Sequence, residues 1–235
     1  MEISIIIPVL DEAERLDILL PELRKRSETG KVMEVIVVDG GSRDGSPEIA
    51  GSHGARVIYA PKGRAGQMNH GAELARGEIL YFLHADSLPP EGFDRWILRA
   101  MEEKLRAGCF RLRFDPPHWF LNAFAWCTRI NHPLCRGGDQ SLFLPQSWFR
   151  AAGGFDERFR IYEDNEFIGR LYSDYSFRVL PAYITTSSRR YKKIGVFRLQ
   201  YHYSVIHLKR VLGAPPEILY SYYQKHIGTG RKKRT

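Results

Sequence analysis

Four short apolar runs, each followed by a polar turn, occupy the first ninety residues of the chain. They are "ISIIIPV" (3–9), "VIVVD" (35–39), "ARVIYA" (55–60) and "EILYFLHAD" (78–86). Near-continuous apolar runs of this length are typical of strands that are buried on both faces of a parallel sheet. The stretches between them, at roughly 11–28, 46–53 and 66–76, have helical patterns. This alternation predicts an α/β fold with right-handed β-α-β crossovers.

The second half of the chain is less regular, but its patterns still predict defined elements. These are strands at 108–114 and 137–145, helices at 118–131 and 161–172, and two amphipathic helices between 196 and 226 that are separated by "GAPP". The last residues, 229–235, form a basic tail. Because no internal repeat or linker divides the sequence, one large domain, with or without an appendage, is expected.

Polar or glycine-rich segments follow all four of the first predicted strands. The first strand ends in "PVLDE", the second in "VDGGSRDGS" and the fourth in "HAD", and the basic loop "PKGRAGQMN" follows the third. In open parallel sheets, ligands bind beyond the carboxyl ends of the strands. Because the four strand ends bring acids, bases and glycines to one edge, the sequence predicts a binding site there.

The charge balance of the 235-residue chain favours anionic partners. Lysine and arginine number 35 against 27 acidic residues, a formal net charge of +8, which predicts binding to phosphates, nucleic acid or an acidic membrane surface. No apolar stretch reaches the roughly 18 residues of a membrane span, and no signal peptide is predicted at the N-terminus. Cys109, Cys127 and Cys135 are odd in number and lack CxxC spacing. Reduced thiols and a cytoplasmic location are therefore expected.

Several motifs, in their order and spacing, resemble those of family 2 glycosyltransferases with the GT-A fold. They are "SIIIPVLDEAERL", "VIVVDGGSRDGS", the "HAD" after an apolar strand, and "GGFDERF" followed by "EDNEFIGRL". The resemblance covers residues 3 to about 181, and the C-terminal region looks like that of a small bacterial branch. It implies a mostly parallel, Rossmann-like sheet flanked by helices. The implied parts are a GT-A domain at 3–190, with a nucleotide-binding half at about 3–90 and an acceptor half at about 91–190, and a C-terminal helical extension at 191–228.

The resemblance also implies a chemistry: inverting transfer of a sugar from a nucleoside-diphosphate sugar to an acceptor hydroxyl or phosphate. Mg²⁺ or Mn²⁺ would offset the charge on the leaving diphosphate, and such hard cations prefer oxygen ligands. The family holds the cation with a DxD pair after the fourth strand, where this chain has His84-Ala85-Asp86. Asp86 matches the metal-ligating position, while the imidazole of His84 is left with two options, the metal or the nucleotide. The alternative is that Asp86 only caps the turn before "SLPP".

Other donor-binding positions are implied by the same resemblance. Asp39 matches the acid that accepts a hydrogen bond from the nucleobase, although an Asx turn in "DGGS" also explains an aspartate here. The basic loop after the third strand would neutralise phosphate or would simply be solvated. "SSRRY" resembles the family's loop over the diphosphate but lacks its glutamine and tryptophan. The remaining donor-side positions are Pro8, Val9, Lys62, Arg64, Asn69 and Arg190.

The acid pair Glu163-Asp164 is the candidate for catalysis. An inverting transferase needs a general base that takes the proton from the acceptor, and the family uses the second acid of an ED pair at a helix start, where Asp164 falls. Burial beside the sugar is expected to raise the pKa of Asp164. The alternative is that both acids only complement the positive helix N-terminus. The segment Gly138, Asp139 and Gln140 resembles the family's acceptor-side strand.

Competing classes of protein can be weighed against the same residues. A dinucleotide-dependent oxidoreductase would have GxGxxG after the first strand, and "PVLDEA" has none. Acids at the strand ends would repel a nucleic-acid backbone, so no nucleic-acid partner is expected. A nucleotidyltransferase stays an alternative, although it would want a glycine- and lysine-rich loop where "VLDEAER" stands. A catalytically silent sugar-nucleotide-binding protein is the second alternative, which binding without turnover would reveal.

No motif specifies the acceptor: a lipid phosphate, a glycan and a small metabolite all stay open. The predicted C-terminal helices carry apolar residues at roughly helical spacing among basic ones, namely Val196, Leu199, Tyr203, Ile206 and Val211. With the basic tail, they would suit peripheral contact at the inner face of a membrane and a lipid-linked acceptor. The alternative is that these helices pack on the transferase core.

Overall fold

The computed structural model describes residues 1–174 and 176–228 of the chain. The strands are β1 (Ile3–Val9), β2 (Val32–Asp39), β3 (Arg56–Tyr59), β4 (Ile79–Phe82), β5 (Ser87–Leu88), β6 (Ala107–Asp115), β7 (Leu142–Pro145) and β8 (Phe177–Ser187). The helices are α1 (Ala13–Arg26), α2 (Ser46–Ser52), α3 (Arg64–Leu74), α4 (Phe93–Glu102), α5 (Trp119–Cys127), α6 (Gln146–Ala151), α7 (Glu163–Asp174), α8 (Arg189–Ile194), α9 (Val196–Val211) and α10 (Pro216–His226). Short 3-10 turns lie at Pro133–Cys135 and Gly138–Gln140.

One mixed sheet runs through the domain in the order β3-β2-β1-β4-β7-β6-β8-β5. Strands β3, β2, β1 and β4 are mutually parallel, as the apolar runs predict. Antiparallel β7 joins this half to β6, which pairs in parallel with β8, and β5 closes the other edge against β8. The predicted α/β class with a Rossmann-like first half is therefore confirmed.

The all-apolar sequence of β1 reflects burial on both faces of the sheet. Ile3, Ile5 and Ile7 pack in the core beneath α1 and α4, while Ile6 packs in the opposite core beneath α3 and α7. Successive side chains of a strand point to opposite faces, so a strand with helices on both sides needs apolar residues at every position. The carboxyl ends of β1, β2 and β4 are thereby fixed at one edge.

Helix α3 lies unusually close to the sheet, and a glycine makes this approach possible. A Cβ atom at Gly71 would lie 2.6 Å from Cγ2 of Ile6 and 2.9 Å from Cγ2 of Val38. Only glycine leaves room for this packing. The close approach holds the N-terminus of α3, which begins at Arg64, against the ends of β1 and β2.

Three details of the second half differ from the sequence predictions. The predicted strand at 137–145 begins as a 3-10 turn and becomes a strand only at Leu142, because Ser141 adopts a left-handed conformation (φ 59°) that interrupts extended backbone. The "SSRRY" segment is not a loop throughout: helix α8 begins at Arg189. The strand β8, the longest in the described chain, alternates buried and half-buried residues and was not predicted.

The C-terminal helices α9 and α10 pack on the domain. Leu199, Ile206 and Leu219 form a buried cluster with Phe159, which lies in the loop before α7. Leu199 and Ile206 of the α9 stripe are therefore buried and Tyr203 packs against them, as in the alternative that the sequence left open, whereas Val211 is 63% exposed. Among the residues that the structure describes, no helix is long and apolar enough to cross a membrane. The predicted basic tail at 229–235 lies outside the described residues.

Candidate active site

The loops after β1 and β2 are joined by a set of hydrogen bonds around Asp39. The Asp39 carboxylate accepts hydrogen bonds from the backbone N–H groups of Gly41 (2.8 Å) and Ser42 (3.0 Å), and the side chain is 1% exposed. The backbone N–H of Arg43 donates to Asp11 in the first loop (2.8 Å). The Asx turn is thus present, and the carboxylate oxygens still have lone pairs for a further donor.

Pro8 and Val9 lie on β1 directly beside Asp39. Both are buried, and they pair with Val38 and Asp39 in the parallel register. The carbonyl oxygen of Val9 accepts a hydrogen bond from the Gln67 amide of α3 (2.9 Å). The three predicted nucleotide-side positions in β1 and β2 therefore share one corner of the sheet edge.

The basic loop after β3 contributes its two predicted cations in different ways. Lys62 is exposed to solvent. Arg64, whose side chain is 44% exposed, reaches the acid pair: its Nε lies 3.3 Å from Glu163 and its Nη2 lies 3.5 Å from Asp164. These ion pairs raise the pKa of Arg64 despite partial burial, so the guanidinium is charged. Arg64 thus forms ion pairs with Glu163 and Asp164, the predicted catalytic acids.

Asn69, predicted on the donor side, connects α3 to the loop that precedes α7. Its amide nitrogen donates to the carbonyl of Phe155 (2.9 Å) and to Glu157 (2.9 Å), and its amide oxygen accepts from the N–H of Phe155 (2.9 Å). Gly154, with φ of 66°, makes the left-handed turn that presents Phe155. The polar atoms of Asn69 are therefore engaged in positioning this loop.

The same loop sets the start of α7 and with it the acid pair. Phe155 packs on Phe167 of α7 with ring centroids 4.6 Å apart, and Arg170 of α7 donates to the carbonyl of Gly154 (2.6 Å). Glu163 and Asp164 form the first turn of α7, and their side chains are 3% and 12% exposed. The "GGF" motif thus directs both acids into the interior.

His84, at the end of β4, connects the two halves of the site. Its Nε2 lies 3.6 Å from Asp164 and its Nδ1 lies 3.7 Å from Asp139, while Arg64 contacts the ring from α3. Residues 84, 139 and 164 are far apart in sequence, and the sheet edge brings them within ion-pair distance. We call His84, Arg64, Asp139, Glu163 and Asp164 the acid cluster.

The acid cluster has opposing effects on the pKa values of its members. Burial and the Arg64 charge lower the pKa of His84, but its contacts with Asp139 and Asp164 outweigh them and raise it to about 9. Burial raises the pKa of Asp164, yet His84 and Arg64 together hold it below the usual range. The contacts with His84 and Arg64 thus outweigh burial, and the rise expected for Asp164 beside a sugar stays a prediction. Burial does raise the pKa of Glu163, against the attraction of Arg64.

The predicted acceptor segment divides between the cluster and the core. Asp139 is half exposed, and although burial raises its pKa, His84 and Arg64 lower it overall. Gln140 points the other way: its amide donates to the carbonyl of Phe110 (3.1 Å) in the core. Gly138 begins the same 3-10 turn. Of these three residues, only Asp139 contacts another member of the acid cluster, His84.

Asp86 lies outside the acid cluster, at a groove of about 670 Å³ on the α1 side of the sheet. Within the described ranges its carboxylate makes no hydrogen bond or ion pair. Its backbone carbonyl accepts from Ser187 (3.1 Å), which ties β4 to the end of β8. Four cations line the groove, namely Arg15, Arg189, Lys192 and Lys193. Three of them stand in the basic run "RRYKK", whereas no local pattern marks Arg15.

Arg190, predicted over the diphosphate, faces the C-terminal helices. Its guanidinium lies 5.2 Å from the ring centre of Tyr223 and 5.8 Å from that of Tyr203, and it contacts the Tyr223 hydroxyl. Its neighbour Arg189 pairs instead with Glu12 (3.1 Å) beside the groove. Arg189 thus lies at the groove, whereas Arg190 packs against tyrosines of the C-terminal helices.

The described side chains provide few ligands for a divalent cation. No group of three or more potential metal-binding side chains occurs among the described residues. Asp86 offers a free, half-buried carboxylate, and Mg²⁺ is commonly held by one or two carboxylates together with substrate phosphates and water. A cation at Asp86 is compatible with this set. The two ring nitrogens of His84 lie near Asp139 and Asp164, away from Asp86 in the cluster described above.

Curated relatives match the chain over part of its length. An undecaprenyl-phosphate 4-deoxy-4-formamido-L-arabinose transferase from Pseudomonas aeruginosa is 30% identical over 131 residues, 50% of this chain and 38% of that protein. The succinoglycan biosynthesis protein ExoA from Rhizobium meliloti is 29% identical over 191 residues, 71% of this chain and 57% of that protein. The chain thus spans well under two thirds of the length of either relative.

Solved structures share the fold at low sequence identity. The mannosyltransferase PcManGT from Pyrobaculum calidifontis, in complex with GDP-Man and Mn²⁺, has a TM-score of 0.68 at 20% identity and covers 94% of this chain and 69% of that one. S. aureus TarS 1-349, in complex with UDP-GlcNAc, has a TM-score of 0.66 at 18% identity and covers 80% and 58%. The sequence pattern of glycosyl transferase family 2 matches residues 4–154. The curled α/β sheet, the order of the motifs and this match agree, and the chain belongs to glycosyl transferase family 2.

Proposed function

We propose that this chain transfers a sugar from a nucleoside-diphosphate sugar to an acceptor hydroxyl or phosphate, with inversion at the anomeric carbon. The observation that carries the proposal is the convergence of Asp164, His84 and Asp139, from three distant segments, within 3.7 Å contacts at one sheet edge. Such groups of mutually perturbed titratable side chains are concentrated at functional sites. The family membership of the chain supports the same reaction class.

Asp164 is proposed as the general base. Its pKa is held low by His84 and Arg64, so the carboxylate is ionised at neutral pH and ready to accept a proton. A base with a low pKa is weak, and withdrawal of the Arg64 charge would strengthen it. Arg64 begins α3 at the end of a basic loop, so a bound diphosphate could compete with Asp164 for its guanidinium. The donor would then strengthen the base as it binds.

On the donor side, Asp39 is proposed to accept a hydrogen bond from the nucleobase beside Pro8 and Val9. Asp86 is proposed to hold the divalent cation, Mg²⁺ or Mn²⁺, whose charge would stabilise the leaving diphosphate. The protein's own contribution nearby is the set of cations in the groove that Asp86 lines. The Mn²⁺ in the complex of the structural neighbour supports a cation in this fold.

A lipid-linked phosphate is proposed as the acceptor class. The Pseudomonas relative is named for undecaprenyl phosphate, and the match to it covers half of this chain. A sugar hydroxyl is the other acceptor class within the family's chemistry. The two differ in whether product formation requires a phosphate on the acceptor.

The proposal is tested by incubating the full chain with UDP- and GDP-sugars, Mn²⁺ and a short-chain prenyl phosphate or its parent alcohol. Nucleoside diphosphate release and the NMR coupling constant of the new anomeric proton are measured. Release that depends on an acceptor, with inverted product, is expected. Donor binding without release in any acceptor would favour the silent sugar-nucleotide-binding protein, and retained configuration would exclude Asp164 as a base of an inverting reaction.

A further inference from the structure

Helix α5 has a composition that does not match its exposure. Its nine residues, "WFLNAFAWC", include one polar side chain, Asn122, and no charge. A helix that is apolar on all sides is normally buried. Only Leu121 and Ala125 are buried here, whereas Trp119 is 72% exposed, Trp126 is 57% exposed and Phe124 is 40% exposed.

The exposed side of α5 continues onto the start of α9. The ring centres of Phe120 and Phe197 are 4.6 Å apart, those of Trp119 and Phe197 are 6.2 Å apart, and those of Phe120 and Phe124 are 5.1 Å apart. Phe197 is itself 59% exposed. We call Trp119, Phe120, Phe124, Trp126 and Phe197 the aromatic face. Contiguous exposed apolar surfaces of this kind mark interaction sites.

The charge around the aromatic face identifies its partner. Residues 116–138 contain two arginines and no acidic residue, and residues 175–216 contain eight lysines and arginines and again no acidic residue. Lys192 and Lys193 of α8 and Arg198 of α9 are exposed next to Phe197 in the chain. A protein partner of ordinary composition would not require this exclusion of acids, whereas an anionic lipid surface would.

We infer that the aromatic face docks on an anionic membrane surface, with Trp119, Trp126 and Phe197 in the headgroup region and Lys192, Lys193 and Arg198 on lipid phosphates. Aromatic side chains are favoured at the membrane interface, and basic side chains add electrostatic attraction to anionic lipid. This surface differs from the apolar stripe of α9, which is buried against Phe159. The inference stands without the proposed transferase reaction.

The position of α8 gives the docking a consequence for the site. Lys192 and Lys193 also line the groove that contains Asp86. If the proposed function holds, an acceptor presented by the bilayer would reach the groove without leaving the surface. Docking and catalysis are nevertheless measured separately, so failure of one leaves the other standing.

The test is co-sedimentation of the full chain with phosphatidylcholine vesicles that contain or lack phosphatidylglycerol, at low salt. Binding to the anionic vesicles is expected, together with quenching of tryptophan fluorescence by lipids brominated on the acyl chains. The double variant Trp119→Ser/Phe197→Ser should lose about tenfold or more of this binding. Its matched control is Met33→Ser/Tyr59→Ser, which removes exposed apolar side chains (47% and 68%) at the opposite edge of the sheet.

A charge variant tests the inferred contacts of Lys192 and Lys193 with lipid phosphates. Lys192→Glu/Lys193→Glu should weaken binding about tenfold or more, whereas Lys31→Glu/Arg76→Glu, at the amino ends of β2 and β4, should not. Circular dichroism confirms that each variant is folded. The inference is overturned if the wild type stays in the supernatant with anionic vesicles, if Trp119→Ser/Phe197→Ser binds as the wild type does, or if light scattering shows the aromatic face buried in a dimer that this variant dissolves.

Discussion

The two halves of the sheet deliver their functional groups in different ways. In the half formed by β1 to β4, Asp39 is the last residue of a strand, and His84 and Asp86 follow a strand within four residues. In the other half, Asp139 comes from a 3-10 turn and Asp164 from the first turn of a helix. Parallel strands fix the first set through backbone pairing, whereas the second set depends on loops.

Backbone conformation shows how the second half achieves this. Ser141 (φ 59°) follows the turn that carries Asp139, and Tyr162 (φ 69°) directly precedes Glu163. Left-handed conformations are uncommon outside glycine and persist only where the surroundings hold them. Here the surroundings include the Asn69 and Arg170 hydrogen bonds to the loop before α7. The proposed donor half is thus set by the sheet, and the proposed catalytic half by side chains that hold loops in place.

The largest expected effect separates the two halves by their chemistry. Asp164→Asn keeps the shape of the side chain but removes its capacity to accept a proton, so turnover should fall about 10²-fold or more. Nucleoside diphosphate affinity should not fall, and because the diphosphate is proposed to compete with Asp164 for Arg64, any change should be a gain. Steady-state kinetics and calorimetry measure the two quantities. Asp17→Asn, on the exposed surface of α1, is the matched control, and normal turnover of Asp164→Asn would transfer the base role to Glu163 or Asp139.

The next effect concerns the donor half. If Asp86 holds the cation, Mn²⁺ should strengthen nucleoside diphosphate binding by about tenfold or more in the wild type and should have no effect in Asp86→Asn. Asp115→Asn is a demanding control because Asp115 lines the same groove. Calorimetry with Mn²⁺ and with EDTA gives both affinities. The metal role of Asp86 fails if chelation leaves wild-type affinity unchanged.

The contrast between the halves also explains what the sequence predicted. The parallel strands β1 to β4 were predicted because double-sided burial leaves uninterrupted apolar runs, and the site edge followed from where those runs end. The fold and the family were confirmed. Strand β8 was missed because its burial is partial, so residues such as Arg178 and Thr185 break the apolar pattern.

The arrangement of the acid cluster was beyond the reach of sequence patterns. "HAD" and "GGF…ED" identified the segments, but nothing local indicates that Arg64 reaches Glu163 across about a hundred residues. Such pairs depend on the close packing of α3 at Gly71 and on the loop held by Asn69. Nor does any local pattern show that His84 and Arg64 flank Asp164 and lower its pKa against the effect of burial.

A smaller effect tests the ion pair between Arg64, at the start of α3, and Asp164, at the start of α7. Arg64 helps to hold the pKa of Asp164 low, so Arg64→Met should raise that pKa and move the acid limb of kcat/KM for the donor, which reports the free enzyme, to higher pH. The variant would then lose more activity than the wild type as the pH falls. Lys62→Met, in the same loop but exposed, is the control. An unchanged kcat/KM profile would show that Arg64 does not set the pKa of Asp164, or that Asp164 is not the base.

The smallest effect concerns stability, and its sign follows from the raised pKa of His84. The folded protein holds the His84 proton to a pKa of about 9, above the usual histidine value of roughly 6.5. The imidazolium therefore contributes stability that is fully present below about pH 6.5 and is lost as the pH rises through about 9.

His84→Gln lacks this contribution, so its deficit in Tm against the wild type should be greatest at pH 6 and should shrink by pH 9.5. A pKa shift of this size corresponds to a few kcal/mol, and each kcal/mol corresponds to about 2–4 °C in Tm for a chain of this length. His70→Gln, on the more exposed surface of α3, controls for the loss of an imidazole as such. A deficit that stays constant between pH 6 and 9.5 would show that His84 contributes packing rather than charge.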